Sequence, residues 1–390
     1  MGLMEIIEEL VLKDTLAFAL LVIGVAVLIT IILLMSYFNI LITIASFSYP
    51  NARLRAMGNP FVTKKRLTEL LELSSSQEAA LEISKEGYKL PPNIEKVGLD
   101  EAERLIELTH VEFLKKVLAS DPQSLRPFLE AYLIKYDAMQ VKKALRAKKN
   151  GMSFEDLKMR LVPVKEIDEE IIENMLEAGS VDEVISAVKS TRFGDTLSKT
   201  AGEYKDDIVA LDLALDQFFS KELRLSITRV DTSVSETVTL FIGKHADITN
   251  LKHIIRSKQQ GLDPQTTERF LVEGGRILAL WKLRQLIEVK GIPEMITELE
   301  GTPYLEIMRN AMQDYNVSRS IYSFEMALDK LLLTEAQEIS SSALIAAGPT
   351  IKFIVAKEFE VRNIKAVLRG MHEGLSPERI MPMLIMEEGI

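Results

Sequence analysis

The chain contains no cysteine. That excludes disulfides, thiolate metal sites and cysteine nucleophiles, and it fits a reducing compartment. Histidine is almost as scarce: His110, His245, His253 and His372 are the full set. His245 and His253 lie eight apart, with no carboxylate cluster of the kind a metal site needs beside them. A phosphate-binding loop is missing too, since Gly243-Lys244 lacks both the earlier glycine and the following Ser/Thr, and the isolated pair Gly274-Gly275 reads as a turn. The serine clusters Ser74–Ser76 and Ser340–Ser342 have no nucleophile-elbow setting. A net charge of −10 argues against bulk binding to nucleic acid. The expectation is a protein with no catalytic residues, no cofactor, no metal, no nucleic acid and no small-molecule substrate. Glycine and proline are also sparse, 19 and 13 in 390 residues, while Leu, Ile, Ala, Glu and Lys dominate; this predicts helix throughout.

The longest absence is of charge. No Asp, Glu, Lys or Arg occurs between Asp14 and Arg53. Residues Thr15 to Tyr37 are long and apolar enough for a transmembrane helix, which takes about 20 residues to cross a core of roughly 30 Å. A signal peptide has a basic start and a shorter apolar stretch, whereas this start carries Glu5, Glu8 and Glu9. Arg53, Arg55, Lys64, Lys65 and Arg66 follow the apolar run, which predicts a single-pass protein of the cell membrane with its bulk on the cytoplasmic side. Residues 38–50 then form an uncharged link to the body.

The rest of the chain is organised by a repeat. Asp137, Gln140, Lys142 and Arg146 are followed by Gly151; Asp247, Asn250, Lys252 and Arg256 by Gly261; Glu360, Asn363, Lys365 and Arg369 by Gly374. The glycine stands 14 residues after the acid each time, and a weaker copy begins at Asn51. Apolar residues at i, i+3 and i+4, such as Leu251, Ile254 and Ile255, predict a helix. The glycine supplies a left-handed stop. An N-cap for the next helix follows at Ser153, Asp263 or Ser376. On a helical wheel the acid and amide fall beside the apolar stripe, semi-buried and hydrogen-bonded, while the Lys and Arg fall on the far side toward solvent or a partner. These twelve residues are the candidate structural or interface motif, with the three glycines as helix stops.

Two more elements keep step with the motif. The acids Asp212 and Asp216 recur as Glu325 and Asp329, and an aromatic element recurs at Tyr88, Phe193 and Tyr304. Features in copies read as architecture, since an active site is normally unique. The first unit is the most degenerate, with Glu103 to Leu118 holding the equivalent helix loosely. Lys85 to Gly98 reads as an exposed linker, and the β-branched stretch 222–242 as locally extended.

The opening Tyr49-Pro-Asn51-Ala-Arg53-Leu-Arg55, the Asn-Leu/Ile-Lys motifs at 250–262 and 363–375, and Leu271-Val-Glu-Gly-Gly275 together resemble the C subunit of archaeal A-type ATP synthases, a relative of the d subunit of vacuolar ATPases. The resemblance spans about Ser48 to Met386. It implies an all-α fold of three similar helical domains, 48–170, 171–285 and 286–390, arranged as a pseudo-threefold funnel after an N-terminal segment 1–47 with its transmembrane helix at about 15–37. It implies a non-catalytic central-stalk subunit of a proton- or sodium-translocating rotary complex, one that caps the membrane rotor ring and couples its rotation to ATP synthesis in the catalytic head. Its partners would be the proteolipid subunits of the ring and other central-stalk subunits, with the bilayer a further partner of the N-terminal helix. The alternative is a membrane-anchored helical scaffold or adaptor outside any ATPase. The coupling ion, the ring size and the position of the N-terminal helix inside or outside the ring are open at this level.

Overall fold

The structure is a computed structural model and describes residues 15–91, 94, 98–205 and 207–387. Among these residues every regular element is helical, as the composition predicts. The first, α1 (Thr15–Met57), is one continuous helix of 43 residues that contains Pro50 without ending there. The described side chains from Ala19 to Ile42 are exposed. Phe47, Pro50, Asn51 and Leu54 are buried, a spacing that turns one stripe of the helix toward the body. The stretch 38–50, expected as a link, is therefore a rigid part of the helix. It is held there by packing of α1 on two later helices, α11 and α17.

The body consists of three long helical hairpins joined by short helices. The hairpins are α4 (Leu99–Ser120) with α5 (Arg126–Lys149), α10 (Ile208–Ser226) with α11 (Thr232–Gln260), and α16 (Tyr322–Ser342) with α17 (Gly348–His372). The second helix of each carries the repeat motif. Between the 3₁₀ turn Pro60–Val62 and α4 lie α2 (Lys64–Leu71) and α3 (Ser76–Lys85). After α5 come α6 (Phe154–Lys158), α7 (Glu169–Glu177), α8 (Val181–Ala187) and α9 (Gly194–Tyr204). After α11 come α12 (Pro264–Arg269), α13 (Leu280–Glu288), α14 (Ile292–Thr297) and α15 (Tyr304–Ser318), and α17 is followed by α18 (Pro377–Ile380).

Each motif helix stops in the same way. Gly151, Gly261 and Gly374 take φ of +68°, +69° and +71°. The next residue's N–H then reaches back across the stop: Met152 to the Ala147 carbonyl, Leu262 to Ser257 and Leu375 to Gly370, at 2.9, 2.9 and 2.8 Å. This pattern satisfies carbonyls that a helix end would leave open, and glycine adopts the required φ without strain. Ser153 and Asp263 then accept from the Asp156 and Thr266 amides as N-caps. Ser376 stands in the same place without a side-chain cap bond.

Two expectations change. Residues 222–242 are helical apart from the hairpin turn, because Val234 and Val238, four apart, are both fully buried against the core, and that burial overrides β-propensity. The Lys85–Gly98 segment is not simply an exposed linker. Residues 92, 93 and 95–97 lie outside the described residues, but Tyr88 and Ile94 are each only 2% exposed.

Candidate functional site

The motif acid and amide work as a clasp on the chain that follows their own helix. Asn250 donates to the Val272 carbonyl at 2.8 Å and accepts from the Val272 N–H at 2.7 Å. Asn363 does the same for Ile385, at 2.7 and 2.8 Å. Gln140 accepts from the Val162 N–H at 3.0 Å, but its amide nitrogen goes back to the Tyr136 carbonyl of its own helix. The clasped residue lies 22 positions on in all three copies. Asp137 accepts three backbone N–H groups, from Lys165, Glu166 and Ile167. Asp247 accepts from the Ile277 and Leu278 N–H groups and from the Tyr304 hydroxyl at 2.9 Å. Glu360 accepts from the Tyr88 hydroxyl and the Lys357 ammonium, both at 2.7 Å. All three acids are fully buried. Burial raises their carboxyl pKa against the lowering effect of these donors.

The bonds to Glu360 show how the third copy is built. In the first two copies the acid is capped by backbone immediately downstream. In the third, the hydroxyl of Tyr88, 272 residues upstream, takes that place. The parallels are close: Asn363 donates to the Phe61 carbonyl at 2.8 Å. The Glu387 N–H bonds the Val62 carbonyl at 2.9 Å, just as the Val164 N–H bonds the Ile167 carbonyl at 2.9 Å in the first copy. One apolar cluster joins Phe61 to Ile106 with Val361 to Leu384. Residues 60–90, grouped with the first domain by sequence position, thus pack on the third motif helix. Tyr88 and Tyr304 fill equivalent places; Phe193, their counterpart in the sequence pattern, has no hydroxyl to donate, and Asp137 takes a third backbone donor instead.

The motif bases, left by the wheel between solvent and a partner, turn to the neighbouring copy. Lys142 pairs with Asp216 at 2.6 Å and Arg146 with Asp212, so α5 docks on α10. Lys252 pairs with Asp329, and Arg256 with Glu325 at 2.6 Å, so α11 docks on α16. Lys365 pairs with Glu107 at 2.5 Å and Arg369 with Glu103 at 2.7 Å, so α17 docks on α4. Two bases four apart meet two acids four apart on an antiparallel helix, which is why the spacing recurs. The third interface returns to the first copy, so the series of interfaces closes.

The inner acid of each pair is also held from its own copy. Asp216 lies 3.4 Å from Arg256 and 3.8 Å from His253, Asp329 lies 2.5 Å from Arg362, and Glu107 pairs with Lys143. Burial alone would raise these carboxyls, but the flanking cations outweigh it. Asp216 is held well below the usual carboxylate range, and Asp329 and Glu107 are also lowered.

A second meeting point lies two residues before each motif acid. Lys135 and Glu358 form an ion pair at 2.6 Å, the Tyr132 hydroxyl donates to Glu358 at 2.9 Å, and His245, the equivalent residue of the second copy, feels both charges. Equivalent positions of the three motif helices thus lie within electrostatic reach of one another.

Sequence reading missed Glu103 and Glu107 as partners of the third motif. The signal was there: two acids four apart, with Glu107 at 39 residues before Arg146 against 40 between Asp216 and Arg256. The run Leu271–Gly275 also gains a role. Val272 is the clasped residue, and a Cβ on Gly275 would stand 2.1 Å from Asp247 Oδ1.

Comparison with known proteins agrees with this architecture. The model of the ATP synthase (C/AC39) subunit family matches residues 50–383. The C subunit of the A-type ATP synthase from Methanocaldococcus jannaschii is 31% identical over 352 residues, 89% of this chain and 88% of the relative. The corresponding proteins from Methanothermobacter thermautotrophicus and Methanosphaera stadtmanae are 29% and 26% identical, with 87% and 94% of each chain covered.

Proposed function

Given that the chain belongs to the ATP synthase (C/AC39) subunit family, we propose that it is the central-stalk subunit of an A-type ATP synthase that caps the membrane rotor ring and passes its ion-driven rotation to the catalytic head. Kinship with the C subunits of A-type ATP synthases supports a place in that complex. The closed series of interfaces carries the finer reading. A part that transmits torque must not shear between its own modules. Here each module is pinned to the next by paired, largely buried charges, and no module is left at an end. We read the body as a funnel of three similar domains, 48–170, 171–285 and 286–390, with residues 60–90 crossing from the first to complete the third. The shared cluster of Lys135, His245 and Glu358 supports a pseudo-threefold axis.

In this reading α1 spans the bilayer and the basic residues after it keep the body on the cytoplasmic side. The proteolipid ring and the other central-stalk subunits are its partners, and the protein acts by position, without binding nucleotide. Purification of the intact complex from native membranes tests the proposal. The chain should be present once per complex, together with ring and head subunits. Its deletion should leave ring and head unable to co-purify. A complex in which ring and head remain coupled without it would refute the reading.

A further inference from the structure

The described side chains exposed from Ala19 to Ile42 cover 24 residues of α1, about 36 Å at 1.5 Å per residue, or a little more than the hydrocarbon core. The charge-free run continues to Ala52, and the first cations are Arg53 and Arg55. The headgroup level on the body side therefore falls between Ile42 and Arg53 if α1 spans the bilayer. The body reaches that level where α11 and α17 pack on α1. Asn51 donates to the carbonyls of Leu344 and Ala346, at 3.4 and 3.2 Å, which fixes the hairpin turn Ala343–Ala347 beside α1.

The three hairpin turns differ in chemistry in a way the repeat does not explain. The first, Asp121–Leu125, shows Gln123 to solvent, and the second shows Thr228 and Arg229. Asp231 of the second turn bonds Ser124 of the first, so these two polar turns are joined to each other. The third reads Ala-Leu-Ile-Ala-Ala, with Leu344 48% and Ile345 54% exposed. The apolar turn is the one that Asn51 fastens to α1, and Tyr49, 71% exposed on α1, shares its level. Exposed aliphatic residues beside an interfacial tyrosine and two arginines are the composition of a membrane interface.

We propose that the turn Ala343–Ala347 is a second lipid contact, with Leu344 and Ile345 seated at the boundary between headgroups and acyl chains of the leaflet from which α1 emerges. The contact rests on α1 spanning the bilayer and does not depend on rotor coupling. Its effect is to fix the tilt of the molecule: with one point of attachment α1 and the body tilt together against the bilayer, and with two they are held.

Depth-dependent quenching in phosphatidylcholine vesicles carrying the full chain tests this. The single tryptophan, Trp281, is removed by Trp281→Phe, and one tryptophan is placed by Ile345→Trp, with Leu344→Trp as a second label should the first not fold. Ile32→Trp in mid-α1 is the membrane reference, and the parent Trp281 is the aqueous reference. The turn label should lose emission with lipids brominated near the glycerol end more than with lipids brominated near the chain ends, and iodide should quench it less than Trp281. Quenching of the turn label by iodide and not by brominated lipid, with Ile32→Trp quenched by lipid, overturns the second contact and leaves α1 in the bilayer. Absence of lipid quenching at both labels overturns the contact and the membrane reading of α1 together.

Discussion

Replacing Asn250 by leucine removes the clasp on Val272 while keeping a side chain of similar size. Asn250 is fully buried and Val272 is 6% exposed, so neither the Val272 N–H nor its carbonyl would gain water in exchange. An unsatisfied buried backbone group costs about 1–3 kcal/mol, so the pair costs about 2–6 kcal/mol. Burial of the leucine methyls offsets about 1–2 kcal/mol of this, leaving a loss of about 0–5 kcal/mol, centred on about 2.5 kcal/mol. The loss is local, since the clasp holds one return segment onto one helix. Hydrogen exchange read by mass spectrometry on the detergent-solubilised chain measures it directly. Amides of residues 270–278 should exchange roughly tenfold to a thousandfold faster, at about 1.4 kcal/mol per tenfold, while residues 160–167 keep their protection. Gln140→Leu provides the internal scale. Gln140 satisfies only the Val162 N–H in the return segment, so its loss should be about half as large. Unchanged exchange at 270–278 in Asn250→Leu would show that packing, and not the clasp, holds the segment. Equal losses in all three copies would refute the claim that each clasp acts alone.

Three further outcomes follow from the geometry. Gly275→Ala drives a methyl group to 2.1 Å from Asp247 Oδ1 and should lower the melting temperature measurably, whereas Gly202→Ala, with open space around it, should not. Lys252→Glu sets one acid against another, Asp329, and should cost about 3–5 kcal/mol as a broken buried pair; adding Asp329→Lys should recover part of that loss in urea titration, and no recovery would show the pair is not coupled. His110 is fully buried beside Tyr136 with neither ring nitrogen bonded, and burial lowers its pKa to about 4. The unfolded chain binds the proton first, so its share of stability is complete above about pH 6.5 and falls away toward pH 4, about 3 kcal/mol in all. His110→Phe should flatten the pH dependence of unfolding across that window, and an unaltered slope would place the acid sensitivity elsewhere.

Much of this was legible because repetition exposes spacing. The acid-to-glycine offset, the amide and the two bases were visible as a pattern before any contact was known, and the glycines carry the φ that the pattern required. The direction in which the bases face was not legible. A helical wheel separates Lys252 from the apolar stripe, but only the tertiary arrangement decides whether Asp329 or water lies beyond it. Nor was the destination of Tyr88. Its hydroxyl meets Glu360 across 272 residues, and local periodicity holds no information at that range. The continuity of α1 through Pro50 was hidden for a related reason. Proline alone suggests a break, and the packing of Phe47, Asn51 and Leu54 on the body that accompanies the unbroken helix lies beyond local reading.

The hairpin completed by residues 60–90 has a bearing on biosynthesis. The ribosome delivers Phe61 and Tyr88 shortly after the apolar run of α1, and Phe61 precedes its partner Asn363 by 302 residues. Until then Phe61, Leu67 and Ile83 lack Val361, Ile364, Val367 and Leu368, which complete their apolar cluster. Partners separated by so much chain meet slowly. The nascent protein therefore holds an adhesive surface open while the next 302 residues, up to Asn363, are made. Ending the chain ahead of Gly348, so that α17 is missing, removes Val361, Ile364, Val367 and Leu368 from that cluster and should leave a body that aggregates or clings to lipid.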